Sequence, residues 1–218
     1  MPGGVAEATR AGCIYVLAGT NGGGKSTVGG AAIRERGGDY FNPDEAARRI
    51  RAARPGISDT DAKIAAWQQG RRLLEKAIAA RLVFALETTL GGATISALLE
   101  EALDADIDVR VWYVALASAD LHVARVRARV AKGGHDIPEQ TIRQRYDRSR
   151  ENLIRLLPRL TELRVFDNSA EADPSKGIAP VPLLLLHMIE GDIHAMCALA
   201  EVPAWAKPIV AAALKSIR

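Results

Sequence analysis

The sequence predicts a three-layer α/β fold, with a mostly parallel sheet between helices. Three observations predict it. First, Gly19, Thr20, Asn21, Gly22, Gly23, Gly24, Lys25 and Ser26 fit the pattern G-x-x-x-x-G-K-[ST] between an apolar run, Cys13 to Ala18, and a helix-like stretch, Ser26 to Arg36. Second, short apolar runs alternate with helical patterns, as in a parallel sheet covered on both faces. Third, two Arg-rich helical stretches flank a glycine-containing break, Lys132-Gly133-Gly134-His135-Asp136. A strand, a phosphate-binding loop and an Arg-rich lid between two helices (about 125–150) describe a P-loop kinase-like arrangement. The 218 residues read as one such domain, with 175–218 carrying no motif.

The elements follow in order. The first strand covers about 12–18 and the first helix 25–36. A short strand over 39–41 meets Asn42-Pro43-Asp44-Glu45, where Asn42 as N-cap, Pro43 at the first helical position and Glu45 at the third start a helix that stops before Pro55. A long helix runs from Ser58 to about Arg81, with Ile64, Trp67, Leu74 and Ile78 near helical spacing. Leu82 to Leu86 is a continuous apolar run closed by Glu87, the pattern of a buried parallel strand. Helices are expected over 93–104, 118–131 and 138–157, and strands over 109–116 and 163–166, the latter ending at Asp167-Asn168-Ser169. Asp136 fits an N-cap for the 138–157 helix and, equally, a substrate contact. A last strand over 182–189 and a closing helix over 205–217 complete the chain.

Composition narrows the classes. Hydrophobic residues make up 48% and charged residues 25%, the net charge is +3, and the only cysteines are Cys13 and Cys197. This is an ordinary globular balance without a disulfide framework, consistent with a cytoplasmic protein. The stretch Val181 to Ile189 is too short to span a bilayer. No long basic stripe interleaves with aromatics, so neither a membrane nor a nucleic acid is expected as partner. Arginines concentrate between Arg125 and Arg159, near the phosphate-binding loop, where their planar fork suits phosphate.

The site chemistry starts from the loop. Its glycines let backbone N–H groups turn toward phosphate oxygens, and the helix N-terminus adds partial positive charge. Lys25 can reach the terminal phosphates, and the Ser26 hydroxyl can ligate Mg²⁺. The chain lacks the N-K-x-D element that reads guanine, which points to ATP. Strand-terminal residues share one rim of such a sheet, which brings Asp44, Glu87 and Asn168 to the loop. Asp44 is a candidate general base, with first-turn helix stabilisation as its alternative; Glu45 reads as capping. Glu87, beside Thr88 and Thr89, reads as a ligand or Mg²⁺-water group. Arg125 and Arg129 share one helix face, and Arg127 lies off it. On the next helix Arg143, Tyr146 and Arg150 share one face, and Arg145 with Arg148 another. His135 reads as a loop-tip residue, and Trp67, Trp112 and Trp205 read as packing residues. No Cys/His set has metal-site spacing.

Gly19 through Ser26 with Thr27, then Phe41-Asn42-Pro43-Asp44-Glu45, Phe84-Ala85-Leu86-Glu87-Thr88-Thr89, Gly133-Gly134-His135-Asp136-Ile137-Pro138, Arg145-Tyr146 with Arg148-Ser149 and Asn152-Leu153, and Val165-Phe166-Asp167-Asn168-Ser169 together resemble the zeta toxin family, in particular its compact bacterial ATPase branch. The resemblance covers about 12–170 in order. It implies transfer of the γ-phosphate of ATP, with Mg²⁺, to a hydroxyl of a nucleotide sugar such as UDP-N-acetylglucosamine. It also implies ATP binding by Gly19 to Thr27, Asp44 as base, and Glu87 with Thr88 or Thr89 on the substrate. Lid arginines would act on the phosphoryl group. Arg125 matches one lid position; His135 stands at the other, which leaves Arg143 or Arg145. An antitoxin protein is the partner that a toxin role would bring. The rival readings are a metabolic small-molecule kinase and a nucleotide-dependent binding switch.

Overall fold

The computed structural model describes residues 12–30, 33, 38–170 and 181–217. Six strands form one sheet: β1 (Cys13–Ala18), β2 (Phe84–Thr88), β3 (Asp108–Ala115), β4 (Glu162–Asp167), β5 (Leu183–Ile189) and β6 (Asp192–Met196), in the order β2-β1-β3-β4-β5-β6. β2, β1, β3 and β4 run parallel, and β5 and β6 add an antiparallel edge. The parallel strands are apolar on both sides because both faces are covered. Ile14, Val16, Val109, Val111, Tyr113, Leu163 and Val165 face the larger core, shared with the helices; Leu17, Val114, Trp112 and Phe166 face a smaller one completed by Val28 and Ile33, on the helical side of the phosphate loop.

The helices are α1 (Pro43–Ala53), α2 (Asp59–Ala79), α3 (Ala93–Asp104), α4 (Ala119–Ala131), α5 (Glu139–Leu156) and α6 (Lys207–Ser216). Three start on capping side chains that accept orphan backbone N–H bonds: Asn42 from Asp44 and Glu45, Ser58 from Asp61, and Ser118 from Leu121. Residues Ser26–Gly30 form a π-type turn rather than a regular α-helix; of the remainder of the helix expected over 25–36, only Ile33 lies among the described residues, and it is helical.

Four expectations change. The strand over 39–41 reduces to one bridging residue, Phe41, whose N–H donates to Ala85 O while its carbonyl accepts from Glu87 N. That single bridge nonetheless puts Asn42 beside Glu87. Asp136 is not the N-cap of α5: Pro138 holds that position, and Asp136 accepts from Ile137 N instead. The C-terminal segment forms a hairpin rather than a lone strand, turning at Glu190 (φ 52°) and Gly191 (φ 91°), the pair of positive φ values a tight hairpin needs. Finally, Trp67 and Ile64 are not core residues. α2 buries Ala62, Ala66, Gly70, Leu74 and Ala77, while Ile64 is 50% and Trp67 43% exposed. Trp205 is buried as expected, and Trp112 packs against Phe166 and Arg164.

Candidate active site

The C-terminal rim of β1, β2, β3 and β4 gathers the phosphate loop, Asp44, Glu87, Thr88, Thr89 and Arg145, but not Arg125 or Arg143. The loop from Gly19 to Lys25 leaves β1 there and is tied down from several sides. Asn168, at the end of β4, donates from Nδ2 to Gly23 O at 3.0 Å while its own N–H reaches Ala115 O at 2.9 Å. Gly24 explains its own identity: it has φ +84°, and a Cβ there would meet Asn168 Nδ2 at 2.3 Å.

Glu87 is the hub of the site. Its Oε2 accepts from Ser26 Oγ at 2.8 Å and from Asn42 Nδ2 at 3.2 Å, and its Oε1 lies 3.6 Å from Lys25 Nζ. Lys25 also donates to Gly19 O at 2.8 Å. Burial pulls the Lys25 pKa down, opposed by the Glu87 charge and then by Asp44. The ammonium is thus held against the carbonyls of its own loop, a position from which an incoming phosphate competes for it. Asn42 serves twice: its Oδ1 caps α1 and its Nδ2 orients Glu87. That second role was not expected from the sequence; only its N-cap pattern was legible there.

Asp44 is exposed and makes no side-chain hydrogen bond or ion pair among the described residues. It lines the groove that opens from Lys25 and Asn21, and its charge partly offsets the burial that lowers the pKa of Lys25 and Arg145. The groove has a volume near 730 Å³, within the range that holds small metabolites. Thr88 and Thr89 line it too, as do Trp67, Arg71 and Lys63 of α2 and Arg145 and Arg148 of α5.

The lid arginines separate. Arg145 points inward, donating from Nη1 to Asn21 Oδ1 at 2.8 Å; burial lowers its pKa, opposed by Asp44. Arg148 lines the same groove, exposed and without an ion pair among the described residues. Arg143 points away, paired with Asp120 at 2.6 Å and Glu139 at 2.7 Å. Arg150 lies over the Tyr146 ring at 4.2 Å and donates to Trp205 O. So the Arg145–Arg148 face of α5 looks at the loop. On α4, Arg125 reaches Ser169 O at 3.4 Å and Ala170 O at 3.2 Å, beyond the end of β4 and outside the groove. Arg129 is nearer the chemistry: with Ser26, Asp44 and His135 it lines an adjoining cavity, and its Nη2 holds His135 O at 3.0 Å. Arg127 pairs with Glu139 on the surface, as its off-face position implies.

Among the described residues no cluster of three or more His, Cys, Asp or Glu side chains could hold a metal. A cation held mainly by phosphate oxygens and water needs no such cage. The hydroxyl of Ser26 against the carboxylate of Glu87 is a hard-oxygen pair suited to Mg²⁺ beside a triphosphate.

A parallel sheet with a phosphate loop at its C-terminal rim and an Arg-rich lid above it defines a P-loop kinase-like protein. Residues 14–152, more than half of the chain, match the AAA domain family, and the chain belongs to that family. An uncharacterized protein of Haemophilus influenzae is 32% identical over 135 residues, covering 59% of this chain and 88% of that one. The crystal structure of AvrRxo1-ORF1:-ORF2 with ATP aligns with a TM-score of 0.63 at 14% identity, over 94% of this chain. This chain spans only 64% of that one's length. The PezAT chromosomal toxin–antitoxin system of Streptococcus pneumoniae aligns with a TM-score of 0.53 at 13% identity, over 96% of this chain and 86% of that one. At such identities the likeness shows a shared fold. Among the described residues no helix is long and apolar enough to cross a membrane.

Proposed function

We propose that this protein is an ATP- and Mg²⁺-dependent kinase that phosphorylates a hydroxyl of a small metabolite, with a nucleotide sugar as the acceptor the groove suits best. The observation that carries the reading is the joint placement of Lys25, Ser26 and Glu87 at one end of a groove with the Asp44 carboxylate, unpaired among the described residues, on its wall. In this mechanism the Gly19–Thr27 loop and Lys25 hold the phosphates of ATP. Mg²⁺, held through Ser26 and waters oriented by Glu87, would neutralise charge on the terminal phosphates. Asp44 accepts the acceptor hydroxyl's proton as that oxygen bonds to the γ-phosphorus and the bond to the β,γ-bridging oxygen breaks, releasing ADP. Arg145 and Arg129 are the lid cations placed to meet the charge of the transferring group. Arg125, aligned with a lid position by the family resemblance, lies beside the 168–170 segment, and its role in this reading is to border the nucleotide rather than to contact the transferred phosphoryl group.

The acceptor end supports the finer part. Trp67 and Ile64 expose large apolar faces to the groove while the same helix buries alanines, so their bulk is not needed by the core. An indole face suits a flat ring, and Arg148, Arg71 and Lys63 suit an anionic linkage. Thr88 and Thr89 line the wall between and would orient the hydroxyl-bearing part. A toxin role with an antitoxin partner, in the cytoplasm, accords with the zeta-toxin-like sequence order.

The test is incubation with labelled ATP and Mg²⁺ against a panel of nucleotide sugars, free sugars and sugar acids. Label transfer to a nucleotide sugar is expected. Transfer only to free sugars or sugar acids would leave the kinase and remove the nucleotide-sugar reading, and no transfer to any member with tight ATP binding would favour a nucleotide-dependent switch.

A further inference from the structure

His122 lies under the phosphate loop without a part in the chemistry above. It sits in the first turn of α4, is fully buried, and bridges two backbones. Leu116 N–H, just past β3, donates to Nε2 at 3.2 Å, so Nε2 carries no proton. Nδ1 lies 2.8 Å from Asn21 O and must therefore be the donor. Only one neutral tautomer makes both bonds. The imidazolium would set an Nε2 proton against the Leu116 N–H.

The loop is shaped around this residue. Gly22 has φ +82°, and a Cβ there would meet His122 O at 2.8 Å. The residue whose carbonyl His122 holds, Asn21, is also the one whose side chain accepts from Arg145. Tyr146, the next residue on α5, meets the imidazole edge-on with ring centroids 5.5 Å apart. Asn21 is thus gripped through its backbone by α4 and through its side chain by α5, the two helices that flank the 132–136 break.

We infer that His122 is a positioning residue for nucleotide binding: its Nδ1–H fixes the Asn21 peptide, which aims the following N–H groups at phosphate and keeps Asn21 in reach of Arg145. The Nε2 bond to Leu116 anchors the ring to the sheet, and the Nδ1 bond passes that anchorage to the loop. The inference rests on reading the loop as an ATP site.

The two bonds can be removed separately. Asn in place of His sets its amide nitrogen near the Nδ1 position, keeping the donor to Asn21 and losing the acceptor for Leu116. Gln sets its amide oxygen near Nε2, keeping the Leu116 bond and losing the donor. The measurements are ATP affinity with Mg²⁺, the KM for ATP against kcat, and the melting temperature, for wild type, His122→Asn and His122→Gln. The expected result is ATP affinity within about three-fold of wild type for His122→Asn and a loss of tenfold or more for His122→Gln, felt in KM for ATP more than in kcat. The loss should occur although His122→Gln melts no lower than His122→Asn. ATP affinity that simply follows melting temperature across both variants, or that neither variant changes, makes His122 a core residue and overturns the inference alone. A wild-type protein that does not bind ATP overturns the function and the inference together. If His122→Asn fails to fold, His122→Gln decides the matter, since unchanged ATP affinity in that folded variant is enough to overturn it.

Discussion

The two ends of the groove are built on opposite terms. At the phosphate end these functional groups are already engaged: Lys25 with Gly19 and Glu87, Ser26 with Glu87, Asn168 with Gly23, and Asn21 with His122 and Arg145; the buried Thr20 hydroxyl is the exception among the described residues. At the acceptor end Asp44 and Arg148 are exposed and unpaired among the described residues, and Trp67 and Ile64 show apolar faces to solvent. The first end is pre-organised, and its hydrogen bonds hold the loop in shape before any ligand arrives. The second is ready to be covered. In the proposed reading Asp44 and Arg148 would gain their partners from substrate, while Lys63 and Arg71 would turn to it from Asp59 and Glu75, which is where discrimination between acceptors can reside.

The comparison can be broken at either end. The largest expected effect is at the point where the ends meet. Asp44→Asn should slow phosphoryl transfer by roughly 10²–10⁴-fold with ATP affinity nearly unchanged, because an amide cannot accept the proton. As a mere first-turn acid, its loss would cost only about 0.3–1 kcal/mol of stability. Acceptor phosphorylation, ATP titration and melting of Asp44→Asn beside Glu45→Gln separate the two; near wild-type transfer would return Asp44 to helix stabilisation.

Lys25→Ala comes next, with turnover falling by about 10²–10³-fold in a folded protein. Glu87 keeps Ser26 and Asn42 as partners, so the fold should survive. Retained turnover in this variant would break the phosphate end of the argument.

Acid sharpens the contrast further. Burial, then the charges of Lys25, Arg125 and Arg150, lower the His122 pKa to about 4 from 6.5, opposed by the bond to Asn21. A histidine depressed in the folded state contributes nothing adverse above about pH 6.5, and its cost grows as pH falls from there toward 4, reaching about 3 kcal/mol. Denaturant titration at pH 7, 5.5 and 4.5 should therefore show less loss of stability on acidification for His122→Gln than for wild type. Equal pH slopes would mean that the imidazole is not held neutral by the fold.

At the acceptor end Trp67→Ala should raise the KM for the acceptor about tenfold, as the loss of one stacking face does, and leave ATP affinity alone. Its exposure predicts a stability change under about 1 kcal/mol. A marked loss of stability would make Trp67 a packing residue after all. The smallest effect belongs to Arg127→Ala, which should stay within two-fold of wild type while Arg145→Ala lowers kcat by about tenfold or more, since a surface ion pair carries little energy.

The alternation of apolar runs and helical stretches was enough to place α3 over Ala93–Asp104 and to bring β2 within two residues of its observed start. The strand of residues 39–41 and the hairpin at 190–191 differ from the sequence expectation for different reasons. Phe41 makes a single bridge that local propensity cannot foresee, whereas Glu190-Gly191 is a turn signal that the sequence does carry. Trp67 cannot be placed from the sequence because an apolar residue at helical spacing looks the same whether its face meets a core or a groove. His122 carries no motif at all; its meaning comes from Leu116 and from Asn21, the latter 101 residues away.

What the sequence determined by itself is therefore the local chemistry: a glycine-rich loop ending in Lys25 and Ser26, an Asn42 cap, a strand closed by Glu87 and two arginine-bearing helices. Each rests on neighbours within a few residues, where steric and hydrogen-bonding preferences act directly. The tertiary structure alone decided which arginine faces inward and that Glu87 joins Ser26 to Asn42. It also decided that a buried imidazole props the loop. Helical periodicity fixes which residues share a face but not what that face meets. The packing of α4 and α5 against the sheet rim turns Arg145 toward Asn21 and Arg143 toward Asp120 and Glu139, though the two lie only two residues apart.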